Sequence, residues 1–383
     1  MSAEEAIPVL NLATGEQMAT DFKLYLQSEI VAPKLNGVQL QATDIVVREN
    51  WMYVSYNRQG EQQMGGIQVF DITEPKKPVL ASEVFFKDHD VNAIDVGPDA
   101  VYLTGASSVP NKEGAYVKKI FLDNHLLTKN GVELSLSGFA GNGISVKNKK
   151  LFVTVGDKTG LIVLNALTFA THAQRDIYDA RDVAVDRCSD TAYVVSGQPT
   201  TVQSFMINWE DFNLHELKYY TLLGSSYAQS KSTILASELY TLVSMGESGF
   251  SLVCNRTKEV MATESLLQEL SRLSIESVVN SVAASSGLIV ASYGASGLFV
   301  YTAKRKPNTE KCEPVETKLI GKMSFDYNAS TNHVYAQGKM MYVATGSGGV
   351  KIISINREFE KSDLRDFDDA DNDSCLGESS DER

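Results

Sequence analysis

Several things are scarce in this sequence, and each scarcity excludes something. It has no run of about 18 consecutive apolar residues, so no stretch could cross a bilayer as a helix. Its four cysteines, Cys188, Cys254, Cys312 and Cys375, stand far apart, so neither a Cys-x-x-Cys zinc knuckle nor a dithiol redox motif is present. Their number permits two disulfides without indicating any pairing; free, mostly buried thiols are the expectation. The five histidines, His89, His125, His172, His215 and His333, never fall in a His-x-x-x-His or Glu-paired arrangement, which argues against transition-metal catalysis. No Gly-x-Ser-x-Gly elbow occurs, so no catalytic residue is assigned. The first residues, MSAEEAIPVL, lack both a basic stretch and an apolar core, so no signal peptide is present as the sequence stands. Positive charge is also short. With 35 Lys and Arg against 48 Asp and Glu the chain carries −13, which excludes nucleic acid or anionic membrane as a general partner.

What the sequence does have is repetition. Hydrophobic residues make up 43% of the 383, enough for a large core. A pair of short apolar strands recurs seven times. The first strands are Asp44–Val47, Ala93–Val96, Gly143–Val146, Asp182–Val185, Thr233–Ala236, Ser281–Ala284 and His333–Ala336. The second strands open on Tyr53, Tyr102, Phe152, Tyr193, Tyr240, Ile289 and Tyr342. A large flat side chain at that point suits packing between neighbouring sheets, and the small residues that end these strands suit convergence on an axis. Third strands follow Gly-rich turns such as Gly294-Ala295-Ser296-Gly297 and Gly346-Ser347-Gly348-Gly349, where positive φ is needed.

Seven units of four strands predict an all-β fold, a seven-bladed β-propeller of antiparallel blades over residues 1–360. The last unit has only three strands, so an N-terminal strand within residues 22–30 is expected to close its blade. Two segments depart from the pattern. Leu266, Leu267, Leu270 and Leu273 fit a short amphipathic helix over Thr263–Leu273. Lys304–Glu316 reads as a long surface hairpin loop. Residues 361–383 are acidic with little to bury and are expected to be a disordered tail. Within it, Asp369-Ala370-Asp371-Asn372-Asp373 opens like a calcium loop. The loop's glycine and final carboxylate are replaced by Ser374 and Ser380, which argues against an EF-hand.

Residues Gly66–Val84, GIQVFDITEPKKPVLASEV, resemble an LVIVD repeat, through Gly66, Val69, Phe70, Asp71, Ile72, Pro75 and Pro78. The other blades match in part: Asn165 and Thr302 stand where Asp71 would be. The resemblance implies a propeller of secreted or lipid-anchored bacterial surface proteins, and brings no catalytic residue with it.

In a propeller the first strands line a central channel. The residues before the first-strand motifs form a polar column: Thr43, Asn92, Asn142, Arg181, Ser232, Asn280 and Asn332. The next column adds Asp44, Asp182, Thr233, Ser281 and His333. Both are expected to meet at one channel mouth. Such a mouth could hold a sugar, a small anion at Arg181, or a calcium-type cation on Asn and Asp oxygens. The competing expectation is that these groups hydrogen-bond loop backbone and channel water. His89, in Lys87-Asp88-His89-Asp90, reads as part of a solvated turn.

The sequence therefore points to a monomeric, non-enzymatic binding or scaffold propeller at the bacterial cell surface or in the periplasm. A protein or glycan partner is expected, with no resident cofactor or metal and with a lipid anchor open in the native precursor. Two alternatives stand. One is a metal-dependent hydrolase or lyase acting on a carbohydrate or lactone at the mouth, with Asn92, Asn142, Asn280, Asn332 and Asp182 around a cation and His333 as base. The other is an intracellular interaction propeller.

Overall fold

A computed structural model of the chain describes residues 24–355 apart from 158, 187, 211–212, 223–229, 238, 265–277, 306–311, 313 and 326–328. Among the described residues the regular elements are strands. They form seven four-stranded antiparallel sheets and one small hairpin, Lys34–Leu35 with Val38–Gln39. The protein is a seven-bladed β-propeller.

Blade 1 shows the pattern: Gln41–Arg48, Trp51–Asn57, Gly65–Asp71 and Val79–Phe86, each strand pairing with the next. The innermost strands of blades 2 to 7 are His89–Val96, Gly141–Lys147, Ala180–Asp186, Ile234–Ala236, Ser281–Ser285 and His333–Gln337. The expected closure is present. Leu24–Ile30 pairs antiparallel with Val350–Ile355 and is the outer strand of blade 7, so both ends of the described chain meet in one sheet. The LVIVD-like stretch is the outer half of blade 1, and its residues have structural work. A Cβ on Gly66 would lie 2.4 Å from the Phe85 ring and 2.5 Å from the Val84 carbonyl. Asp71 accepts the Thr73 N–H at 2.9 Å and fixes the turn that follows.

The apolar core is divided into seven clusters, one in each gap between consecutive blades. Blade 1 meets blade 2 through Tyr53, Ile67 and Val69 against Val91, Ile94 and Leu103. The second-strand aromatics are buried in these gaps as expected. The strand register corrects two of the seven positions. Val290, not Ile289, is the sixth blade's counterpart of Tyr53, because Ala283 pairs with Val290 as Val46 pairs with Tyr53. Leu242 is the fifth blade's, with Tyr240 two residues back along the same strand and in the same gap.

Three other expectations are corrected. Thr263 and Glu264 end the outer strand of blade 5, Val260–Glu264, and are not helical; the rest of the expected helix lies outside the described residues. The Lys304–Glu316 loop is shorter at both ends, since the third strand of blade 6 runs to Arg305 and the fourth starts at Val315. The cysteines are not free thiols. Cys254 and Cys312 form a disulfide with Cα atoms 5.3 Å apart, Cys188 is also disulfide-bonded, and no cysteine is free among the described residues. Cys254 ends the third strand of blade 5 and Cys312 lies in the outer hairpin of blade 6, so the bond ties neighbouring blades. Pairing across 58 residues depends on the ring, which places those two segments side by side. The tail beyond 355 lies outside the described residues.

Candidate functional site at the channel mouth

The polar column sits where it does because the inner strands bulge. In blades 1 to 4 the register slips by one residue, between Ala42 and Asp44, Val91 and Ala93, Gly141 and Gly143, and Ala180 and Asp182. The skipped residues are Thr43, Asn92, Asn142 and Arg181. A bulged residue leaves the ladder and its side chain is re-aimed. Here that brings it to the next blade.

The innermost strand of every blade is an edge, with backbone groups that no strand pairs. Side chains of the preceding blade satisfy many of them, and the links run around the whole ring. Thr43 Oγ1 donates to the Val91 carbonyl at 2.7 Å, Asn92 Nδ2 to Gly141 at 3.1 Å and Asn142 Nδ2 to Ala180 at 2.9 Å. Arg181 Nη1 donates to Ser230 at 2.8 Å, Ser244 Oγ to Asn280 at 3.2 Å, Asn280 Nδ2 to Thr331 at 3.0 Å and Asn332 Nδ2 to Ala42 at 3.0 Å. All seven junctions are thereby stapled.

A second belt lies one step further along the strands and works in the opposite sense, accepting backbone N–H groups. Asp44 Oδ2 accepts from Ile94 at 3.0 Å and Asp182 Oδ2 from Ile234 at 3.0 Å; in blade 2, where Ala93 holds that position, Asp95 two residues further along accepts from Val146 at 2.7 Å through Oδ2. Thr233 Oγ1 accepts from Val282 at 3.2 Å and Ser281 Oγ from Val334 at 3.4 Å. His333 joins blade 7 to blade 1, with Nδ1 3.0 Å from Asp44 Oδ1. Burial pushes the His333 pKa down to about 4, the nearby Asp44 opposing and Lys231 assisting, so the ring is neutral at pH 7, and its Nδ1 accepts the Ile45 N–H of blade 1 at 3.3 Å, in the same sense as the rest of the belt. Burial pushes the Asp182 carboxyl up to about 7, against its two backbone donors and Lys231.

The structure separates the predicted site residues into two places. Thr43, Asn92, Asn142, Arg181, Asn280 and Asn332 line one cavity of about 430 Å³ at the mouth. Asp182 and His333 line another of about 130 Å³, walled by aliphatic residues such as Ile234, Val282 and Val334. The expectation that both columns meet at one mouth is thus corrected: one residue along the inner strand is one layer deeper in the channel. Ser232 is outside both linings.

Seven residues that the column did not reveal also line the mouth: Gln41, Asn57, Asp179, Ser230, Lys231, Val278 and Ser330. Lys231 matters most. It belongs to blade 5, yet its Nζ donates to the Thr43 carbonyl of blade 1 at 2.9 Å and lies 3.7 Å from Asp44 Oδ1. Blades 5 and 1 face each other across the ring, so this side chain is a bar over the channel. Its position directly before Ser232 is the only signal the sequence offers. Arg181 is 5% exposed and held by Asp179, Nε to Oδ1 at 3.1 Å and Nη2 to Oδ2 at 3.0 Å.

The oxygens imagined around a cation are spent separately. Asn92 Oδ1 accepts from Asn57 Nδ2 at 3.2 Å, and Asn280 Oδ1 from Lys231 N at 3.4 Å. Both Asp182 oxygens accept backbone N–H groups, Oδ1 from Val183 and Oδ2 from Ile234. Among the described residues no group of three or more His, Cys, Asp or Glu is placed to hold a metal ion. His89 is corrected from solvated turn to buried residue at 5% exposure. Its Nδ1 lies 2.6 Å from Asp88 and its Nε2 3.1 Å from Glu133, which Lys118 also contacts at 2.7 Å, and its ring meets the Tyr116 edge.

No family model matches the chain, and no curated protein matches it. Solved structures do match in fold. "Structure of U3-55K" aligns with TM-score 0.60 at 13% identity, over 88% of this chain and 99% of that one. The computationally designed Ika8 protein aligns with TM-score 0.50 at 13% identity, over 85% of this chain and 99% of its own. At that identity the likeness is one of fold alone: the chain shares the propeller architecture with both.

Proposed function

We propose that this protein is a non-enzymatic binding propeller of the bacterial cell surface or periplasm, which takes its ligand at the channel mouth. The observation that supports this best is the pair of side-chain belts. The polar residues at the mouth are locked by inter-blade hydrogen bonds, so the cavity has pre-set walls, which favours binding. The most plausible base of the sequence, His333, is turned to Asp44 and lines a small aliphatic cavity away from the mouth. The Cys254–Cys312 disulfide supports an oxidising compartment, and the LVIVD resemblance of blade 1 supports export. The test is turnover. Purified protein and a His333→Gln variant are assayed on panels of lactones and aryl glycosides. No turnover above background is expected from either; turnover that His333→Gln abolishes would replace this reading with the hydrolase.

A further inference from the structure

We infer that the mouth cavity receives a neutral polyhydroxylated ligand, the end of an oligosaccharide, and neither an anion nor a metal cation; this rests on the proposal that the mouth is a binding site. The charges there are already compensated in pairs. Arg181 spends three donors on Asp179 and the Ser230 carbonyl. Lys231 is drawn to Asp44 and to the Thr43 carbonyl. An incoming anion would have to compete with both carboxylates for the same cations. A cation would find the Asp179 carboxylate bound to Arg181 and the Asn92 oxygen engaged by Asn57.

What is left in quantity is carboxamide. Gln41, Asn57, Asn92, Asn142, Asn280 and Asn332 all line the cavity, with Thr43, Ser230 and Ser330 adding hydroxyl groups and Val278 the one apolar side chain. A carboxamide has two N–H donors and an acceptor oxygen. In Asn92, Asn142, Asn280 and Asn332 the staple uses one N–H and fixes the plane of the amide. The second N–H of each remains for a ligand. Sugar hydroxyls both donate and accept, so vicinal pairs match a ring of donors and acceptors at fixed positions. The cavity volume, about 430 Å³, lies within the usual range for ligand sites of roughly 300–1,000 Å³.

The test is binding of the intact protein to an array of neutral and acidic oligosaccharides, with thermal shifts in sodium phosphate and in calcium chloride alongside. Gln41→Leu and Asn57→Leu are the site variants, because neither residue caps a blade-edge backbone group: Gln41 bonds Gln59 of its own blade, and Asn57 bonds the Asn92 carboxamide of the next. Unchanged melting confirms that they fold. At least one neutral oligosaccharide should bind, and each variant should weaken it about tenfold, as loss of one or two ligand hydrogen bonds implies. Phosphate and calcium should leave the melting temperature unchanged. If only acidic glycans bind, or phosphate stabilises the protein and Lys231→Gln removes that effect, the ligand class is wrong and the binding site stands. If no probe of any class binds in a way that Gln41→Leu or Asn57→Leu alters, the mouth itself is not the site. A neutral glycan that binds equally well to both variants overturns the assignment as well.

Discussion

At the scale of single residues, the two deep channel groups pull stability in opposite directions with pH. His333 has a folded pKa of about 4, below its ordinary 6.5, so protons prefer the unfolded chain. Its contribution is fully present above about pH 6.5 and is lost as pH falls toward 4. Asp182 has a folded pKa of about 7, above its ordinary 3.8, so its contribution is fully present below about pH 3.8 and is lost as pH rises through 7. Over the interval between, the two offset. Removing one exposes the other. Relative to wild type, His333→Gln should gain stability on going from pH 7 to pH 4.5, and Asp182→Asn should lose it. Urea midpoints at the two pH values decide this; slopes of the same sign in both variants would refute the opposition. The staples make a second residue-scale prediction. Asn142→Ala strands the Ala180 carbonyl at the blade edge and should cost about 1–3 kcal/mol. Gln41→Ala touches only the exposed Gln59 and should stay within about 0.5 kcal/mol. Equal effects in the two would mean that the Asn142 staple holds the blades no more firmly than an exposed side-chain hydrogen bond does.

At the scale of elements, the closing strand and the bulges decide how the ring is held. Leu24–Ile30 buries Leu24 against Ile353 and Ile355 and covers the open edge of Val350–Ile355. A chain starting after residue 30 should melt well below the full chain and should associate through the exposed edge; light scattering together with a thermal scan tests both. The inner strand of blade 3 allows a finer test. Gly143 takes the second-belt position in that blade, and a Cβ there would lie 2.4 Å from Asp182 Oδ1 and 2.7 Å from its Cα. Gly143→Ala should cost about 1–3 kcal/mol through overpacking, and should do so by displacing Asp182 from the Ile234 N–H. The cost should therefore shrink in an Asp182→Ala background, as a double-mutant cycle would read. These elements were legible in the sequence to unequal degrees. The blades could be read because each writes the same strand pair with the same turn signals, and the closure because seven blades of four require a strand that the C-terminal end lacks. The bulges could not, because a one-residue slip shows only in the pairing with the second strand. Thr43 and Asn92 look like ordinary strand-leading polar residues until their neighbours' partners are known. Lys231 and the Cys254–Cys312 pair were illegible for another reason: each joins parts of the ring whose proximity no local pattern encodes.

At the scale of the whole molecule, the placement of the core governs behaviour. Every apolar cluster lies between two blades, so no blade has a core of its own, and folding is a property of the closed ring. Stability is then sensitive to any link that stops neighbouring blades from separating. The Cys254–Cys312 bond is such a link between blades 5 and 6, and it closes a segment of 58 residues. In the chain-entropy account a loop of that length gives about 4 kcal/mol, a large share of what holds a domain of marginal stability together. The contribution exists only where the bond can form, which connects it to the compartment proposed for the protein. Protein secreted to an oxidising compartment should show no alkylation at Cys254 or Cys312 when denatured without reductant, by peptide mass. A Cys254→Ser, Cys312→Ser double variant should melt lower than wild type in oxidising buffer and identically to wild type in reducing buffer. If instead both thiols alkylate fully and the variant melts as wild type does in either buffer, the bond is not part of the working molecule. The argument for an oxidising compartment would then rest on the LVIVD resemblance alone.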